Sequence, residues 1–272
     1  MINQLIQLLI SVFKLFPRTG RRTFARGTAW LIFNLAKKTR LRAQANISRA
    51  MPYLNNHEVR LTAIDSYKNI VHGVLECFWL DELEFEFDID EKTRAILNSG
   101  RGVSIATMHM GCYEIVPFAI QALTQRSSTL SNIPDFLHCA KKVYAQADIH
   151  CINKKESGAF LQLLKGIRQN RVVSLHSDHY ADDMELNFFS QKTGAPCGAA
   201  MLSAYGKTPL LLSYGILLPN GKYKIYIETL SQEPVGPSKD SLQQAMKDIY
   251  RRFEHIILQY PEHWYWSYKR WR

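Results

Sequence analysis

The densest set of residues able to do chemistry is Thr107-Met108-His109-Met110-Gly111-Cys112-Tyr113-Glu114. Histidine titrates near neutrality, and an ionised carboxylate on one ring nitrogen fixes the tautomer and raises the basicity of the other. His109 and Glu114 stand five positions apart. Within one helix that spacing turns roughly 500° and leaves the side chains about 140° apart, too far round to meet. They can meet if His109 lies in a turn after a strand and Glu114 in the first turn of the next helix, with Gly111 permitting the bend. The helix N-terminus would help to keep Glu114 ionised. Such a pair is a general base for a hydroxyl. The plainer alternative is a strand-end histidine and a surface glutamate.

A second cluster, His176-Ser177-Asp178-His179-Tyr180-Ala181-Asp182-Asp183, follows an apolar run. Open α/β sheets hold their ligands at such strand ends. Histidines and aspartates together can ligate a metal, so a metal hydrolase using His176, Asp178 and His179 is one reading. A polar loop with Asp178 bonding backbone amides is the reading adopted, with no metal and no cofactor expected. A third cluster closes the chain, where Trp264, Tyr265, Trp266, Tyr268 and Trp271 interleave with Lys269, Arg270 and Arg272. Rings among cations suit single-stranded nucleic acid or a membrane interface.

These residues need a frame. Helical spacing of apolar positions runs through 57–83, and an acidic stretch from Asp81 to Glu91 follows, expected to be exposed. Residues 102–107, 136–142, 148–152, 171–177, 209–217 and 222–230 read as strands, the last two around Pro219-Asn220-Gly221. Residues 156–170, 198–205 and 238–259 read as helices, as does the segment after Gly111. Strands that are continuous apolar runs, alternating with helices, predict an α/β fold: a central, mostly parallel sheet flanked by helices.

Composition bounds the partners. The net charge is +10, and residues 1–50 carry ten Lys and Arg with no Asp or Glu, so this segment holds the whole excess. Its apolar run from Ile2 to Phe16 contains Lys14 and stops at Pro17, too short for the roughly 20 residues that a spanning helix needs. Ala29–Ala36 is shorter still. The pattern predicts helices lying in a membrane interface, with Leu5, Leu9, Phe13 and Phe16 buried in it and Arg18, Arg21 and Arg22 meeting phosphates. Two regions are expected: a membrane-associated segment 1–45 and an α/β domain 46–272. Five cysteines without a CxxC pair predict free thiols in a reducing compartment.

Several of these features, in order, resemble the late lipid A acyltransferases, the lauroyl/myristoyl branch of the lysophospholipid acyltransferase superfamily. His109–Glu114 is similar to the HxxxxD/E motif of that family. Asp178 ends a strand that carries an aspartate there, and Phe188-Phe189 with Gly194-Ala195-Pro196 resembles its FFG-x-x-A stretch. Tyr260-Pro261-Glu262-His263-Trp264-Tyr265-Trp266 through Lys269-Arg270-Trp271 resembles its closing aromatic run. One departure is Cys139-Ala140-Lys141-Lys142, where the family has an arginine; lysine offers a point charge and no bidentate fork.

The resemblance implies a glycerol-3-phosphate acyltransferase-like fold at the cytoplasmic face of a bacterial inner membrane. It also implies transfer of an acyl group from an acyl carrier protein, or a similar acidic carrier, to a hydroxyl of an anionic membrane glycolipid, lipid A or its precursor. His109 and Glu114 are the expected catalytic residues; Gly111, Lys141, Lys142, Asp178 and His179 are the expected substrate-binding ones. Glu114 is expected to hold His109, and Cys112 is not required as a nucleophile. Two rivals stand beside this reading: aminoacyl (glycyl) transfer from a carrier to lipid A on the same fold, and a non-catalytic basic protein binding membrane or nucleic acid. Nucleic acid is not the expected partner.

Overall fold

The computed structural model describes residues 2–132 and 139–272. Its centre is made by β2 (Val103–Thr107), β5 (Val172–His176) and β8 (Leu210–Leu217), nearly all of whose side chains are buried. Strands covered on both faces by helices read as continuous apolar runs, and these do. With β1 (Phe85–Ile89), β3 (Ser127–Ser131), β4 (His150–Asn153) and β9 (Tyr223–Ser231) they form one sheet, in the order β1-β9-β8-β2-β5-β3-β4. Every pairing is parallel except β8 with β9, a hairpin closed by Gly221 at φ +87°. The strand that follows β2 in the chain, β3, lies beyond β5 in the sheet, while β8 flanks β2 on the other side. The chain leaves β8 toward β9 and β2 toward β3, in opposite directions, so a switch point lies between β8 and β2, and on the other side of β2 the register sets Thr107 opposite His176.

Helices cover both faces. On one, α5 (Glu91–Asn98) and α6 (Ile115–Thr124) bury Leu97, Ile115, Val116 and Ile120 against Val103, Ile105 and Leu211. On the other, α9 (Gly198–Gly206) and α10 (Lys239–Gln259) bury Ala199, Ile249 and Phe253 in one cluster with Ala106 and Leu212. Between them in sequence, α7 (Cys139–Gln146) and α8 (Ala159–Arg168) lead into β4 and β5, and a small hairpin, β6 (Met184–Phe188) with β7 (Gln191–Ala195), stands apart from the main sheet. Its turn places Phe189 and Ser190 at φ +50° and +59°, and Glu254 accepts the Phe189 N–H.

Four helices precede the sheet: α1 (Ile2–Lys14), α2 (Arg18–Leu35), α3 (Lys37–Ala50) and α4 (Asn56–Glu76). The last begins at a reciprocal cap in which Asn55 Oδ1 accepts from Glu58 N and Glu58 Oε2 accepts from Asn55 N. Among the described residues no helix is long and apolar enough to cross a membrane. Nor is there a seam at 45/46. That boundary falls inside α3, and Ala29 and Phe33 of α2 and Ala43 and Ile47 of α3 share the core cluster of α4 and α10. What distinguishes these helices is their outer face, where Leu15 (84% exposed), Trp30 (61%), Leu31, Ile32 and Leu35 (74%) meet solvent.

Three expectations change here. Residues 139–142 belong to α7, not to a strand, and 133–138 lie outside the described residues. The acidic stretch contains β1, whose FEFDI alternation half-buries Phe85, Phe87 and Ile89 and leaves Glu86 and Asp88 outside. Part of the closing aromatic run is core: Trp264 (1% exposed), Trp266 (0%) and Arg270 (0%) are buried, the guanidinium donating to Thr193 Oγ1 at 2.6 Å, Gly194 O at 2.8 Å and Tyr250 Oη at 2.9 Å, whereas Tyr265, Tyr268 and Trp271 are half-buried and Lys269 and Arg272 exposed. The three enclosed side chains serve the interior and not a surface.

Candidate active site

The turn after β2 is built by contacts from three distant segments. Gly111 adopts φ +50°, its N–H donates to His263 O at 2.9 Å, and Met110 bridges Trp264. On the opposite side α4 crosses so closely at Gly73 that a Cβ there would collide with the Gly111–Cys112 backbone. Glycine at 73 is thus a condition for the turn's position as much as glycine at 111 is for its shape. His109 is held at the exit of β2 with its side chain 15% exposed.

Its partner is Asp178, from the loop after β5. Asp178 Oδ1 lies 2.7 Å from His109 Nδ1; Oδ2 accepts the His109 backbone N–H at 3.0 Å and Trp264 Nε1–H at 2.8 Å. The carboxylate is wholly buried. Burial alone would raise its pKa, but the charge and hydrogen bond of His109, the charge of His179 and the Trp264 donor together hold it well below the usual carboxylate range. An ionised acceptor on Nδ1 fixes the tautomer with its proton there and leaves Nε2 as the base.

Glu114 does not make this contact. It caps α6 from an αR conformation; its Oε1 lies 4.0 Å from His176 Nε2, it accepts from Tyr144, and Oε2 has no partner. The expected His109–Glu114 bond is therefore replaced by His109–Asp178, because the reversal at Gly111 carries the helix start away from His109 Nδ1. Glu114 still feels the His109 charge, which with the Tyr144 donor counters the rise that burial imposes on its pKa. Burial and the charge of His109 push His176 well below the usual imidazole range, so it is neutral.

Around His109 stands a cage of rings. His179 stacks on it at 3.7 Å and 3°, Tyr268 stacks on the far face of His179 at 3.7 Å and 8°, and His176 and Tyr113 approach its edges at 4.5 and 4.9 Å. Burial first, then the His109 charge, lower His179 to about 3, which keeps it neutral against a protonated neighbour. Tyr268 also lines a groove of about 580 Å³, between α2 and α4, with Ile32, Ile70, Val71, Val74 and Tyr265 among its walls. The stack thus joins an apolar groove to the histidine.

Ligand atoms of His109, Asp178 and His179 lie within 4.8 Å of one another, a set that could hold a cation. The direct Nδ1···Oδ1 bond at 2.7 Å would have to break to admit one. Cys112 is buried, and burial together with Cys77, whose Sγ is 3.9 Å away, raises its thiol well above the usual range. That removes it as a nucleophile. Lys142 is exposed on α7, and the side chains of Lys141, Leu5 and Leu9 lie outside those described. Of the residues expected on the membrane, Phe16 is exposed, but Phe13 packs on Phe24 at 4.6 Å and on the core. Arg21 is buried between Glu82 and the Trp79 ring, and Arg18 lies 3.8 Å from Glu76 and donates to Gly221 O. These two cations hold the helix to the fold.

Sequence reasoning missed Trp264 as a site residue. Its signal was the closing aromatic run, whose rings were read for a surface when one of them donates to the buried carboxylate. His179 and Gly111 do stand at the site, as a ring stacked on His109 and as the pivot of its turn.

Fold and site together define an α/β protein with an oriented histidine at the sheet's switch point and an apolar groove beside it. Compared with known families, the chain matches the bacterial lipid A biosynthesis acyltransferases over residues 2–272 and belongs to that family, an acyltransferase of lipid A biosynthesis. No curated protein matches the chain.

Proposed function

We propose that this acyltransferase moves an acyl group from a carrier-protein thioester to a hydroxyl of lipid A or its precursor, with His109 as general base. The observation that carries this is the His109–Asp178 bond at 2.7 Å, which leaves Nε2 for the acceptor hydroxyl. Nε2 takes the hydroxyl proton as the oxygen attacks the thioester carbonyl. Asp178 stabilises the imidazolium through Nδ1–H, and neutral His179 and His176 add no competing charge. As the carbon–sulfur bond breaks, the proton on Nε2 passes to the leaving thiolate, so the base is regenerated without a covalent enzyme intermediate. Glu114 supports the imidazolium through space. The groove beside Tyr268 takes the alkyl chain, since an apolar chain gains about 0.8 kcal/mol per CH₂ removed from water.

The exposed apolar face of α1–α3, rimmed by basic residues, supports work at an anionic membrane, on the cytoplasmic side where carrier thioesters are made. Glycyl transfer on the same site is the second reading; the apolar walls of the groove favour the alkyl donor. The test is mass spectrometry of lipid A incubated with the acylated carrier and either wild type or His109→Ala. An alkyl-acyl mass added only by the wild type is expected. An added glycyl mass, or unchanged transfer by the variant, overturns the reading.

A further inference from the structure

Opposite the apolar groove, the crossing of α2 and α4 forms a second cleft of about 140 Å³, lined by Arg22, Arg26, Asp65, Lys68, Asn69, His72 and Glu262. Its chemistry is distinct. Lys68 Nζ neutralises Asp65 Oδ1 at 2.7 Å. Among the described residues neither Arg22 nor Arg26 has a carboxylate partner or a hydrogen-bond acceptor, in contrast to Arg18 and Arg21 on the same helix. The two arginines, four positions apart on one face of α2, line one volume. Buried His72 and half-buried Asn69 form the floor. Burial, with the charges of Arg22, Arg18, Arg26 and Arg21, lowers His72 to about 4, so the floor is a neutral imidazole in a positive field.

Glu262 is the one carboxylate there without a cation of its own; its Oε1 lies 3.6 Å from His263 Nε2, and burial pushes its pKa up. The cleft backs onto the catalytic turn, because Asn69 donates to Glu262 O and the next residue, His263, accepts from Gly111. Beyond the arginines α2 continues into exposed Trp30, Leu31 and Leu35.

We infer that Arg22 and Arg26 form a discrete site for a lipid phosphate monoester, not part of a diffuse basic face. Guanidinium forks bind phosphate oxygens in bidentate pairs, and a monoester offers three such oxygens where a phosphodiester offers two. The exposed apolar residues further along α2 set the source of that phosphate as a headgroup at the bilayer surface. The inference does not depend on the donor or the base proposed above, and activity is not its readout.

The test is co-sedimentation of the full chain with phosphatidylcholine vesicles carrying phosphatidic acid, compared with vesicles carrying phosphatidylserine at matched zeta potential. The wild type is expected to prefer the phosphatidic acid vesicles by about tenfold or more, the gain of one further charge-assisted hydrogen bond to the monoester, since matched zeta potential cancels the general attraction of the arginines to the surface. Arg22→Ala/Arg26→Ala should erase the preference; Lys92→Ala/Arg94→Ala, which removes the same charge from α5, should keep it. Equal wild-type binding to both vesicles, or a preference that survives in the Arg22/Arg26 variant, overturns the inference. Stabilisation by inorganic phosphate without any vesicle preference would overturn the lipid source. Thermal unfolding of each variant distinguishes a lost site from a lost fold.

Discussion

Asp178→Asn should cost far more catalysis than Glu114→Gln, although Glu114 is the residue at motif spacing. The Asp178 carboxylate accepts three N–H groups, from His109 Nδ1, His109 N and Trp264 Nε1, at 2.7, 3.0 and 2.8 Å. Asparagine has one acceptor oxygen and a donor amide. If its oxygen keeps the Oδ2 position, the NH₂ meets Nδ1 and drives the ring proton to Nε2, turning the base into a donor. If the amide is reversed, Trp264 and the His109 backbone face an NH₂ instead. Either way at least one hydrogen bond to a charged acceptor is lost, about 1.5–3 kcal/mol, beside the missing charge opposite the imidazolium. An Asp→Asn exchange behind a catalytic histidine with the wrong tautomer lowers turnover about 10⁴-fold in the serine-protease triad. A loss of about 10²–10⁴ is therefore expected here. Glu114→Gln keeps an oxygen for Tyr144 and loses only a through-space charge, so about tenfold is expected. Single-turnover transfer from the acylated carrier measures both, and ¹⁵N shifts of the imidazole report the tautomer. An Asp178→Asn enzyme within tenfold of wild type, or a Glu114→Gln enzyme equally slow, would refute this division of roles.

Other perturbations follow from the same structure. His109→Ala should lower transfer by about 10²–10⁴ at nearly unchanged unfolding temperature, read by carrier-thioester turnover and calorimetry. Val71→Phe, in the groove wall, should shift the preferred donor to shorter chains, seen by competing donors of different length in one assay. Arg21→Ala leaves Glu82 without its buried partner and Trp79 without its cation; it should destabilise by about 1–3 kcal/mol in urea titration. Leu15→Glu/Trp30→Glu should instead weaken vesicle binding and leave stability alone. Stability should fall as pH drops below about 6.5. His179 at about 3, and His72 and His263 at about 4, stay neutral in the fold while the unfolded chain takes up protons. Each costs up to about 1.4 kcal/mol per pH unit down to its folded pKa. Asp178, depressed in the fold, adds a loss only below about pH 4. Urea unfolding at pH 7, 6 and 5 reads the slope, and a flat profile over that range would contradict the buried histidines.

The parts of the fold legible in sequence were those whose pattern is local. Continuous apolar runs gave β2, β5 and β8, and spacing gave α4 and α10. The position of His109 in a turn before a helix followed from Gly111. Elements went unread where the signal was short or contrary. The alternation in β1 was masked by its acidic outer face. The β6–β7 turn uses Phe189 and Ser190 in a region where Asn-Gly would be the usual marker, and it is sustained by Glu254 from α10. The orienting carboxylate was not legible for a topological reason. His109 and Asp178 become neighbours only because β2 and β5 are adjacent in register, and sequence distance cannot show that.

The bond from Trp264 to Asp178 spans 86 positions of chain. During synthesis the turn that carries His109 leaves the ribosome well before the segment that supplies this donor and, from His263, the acceptor for Gly111. Until that segment arrives, the turn lacks two of the contacts that hold it in place. The setting of His109 is therefore completed only by residues 263 and 264, long after the turn itself has been made.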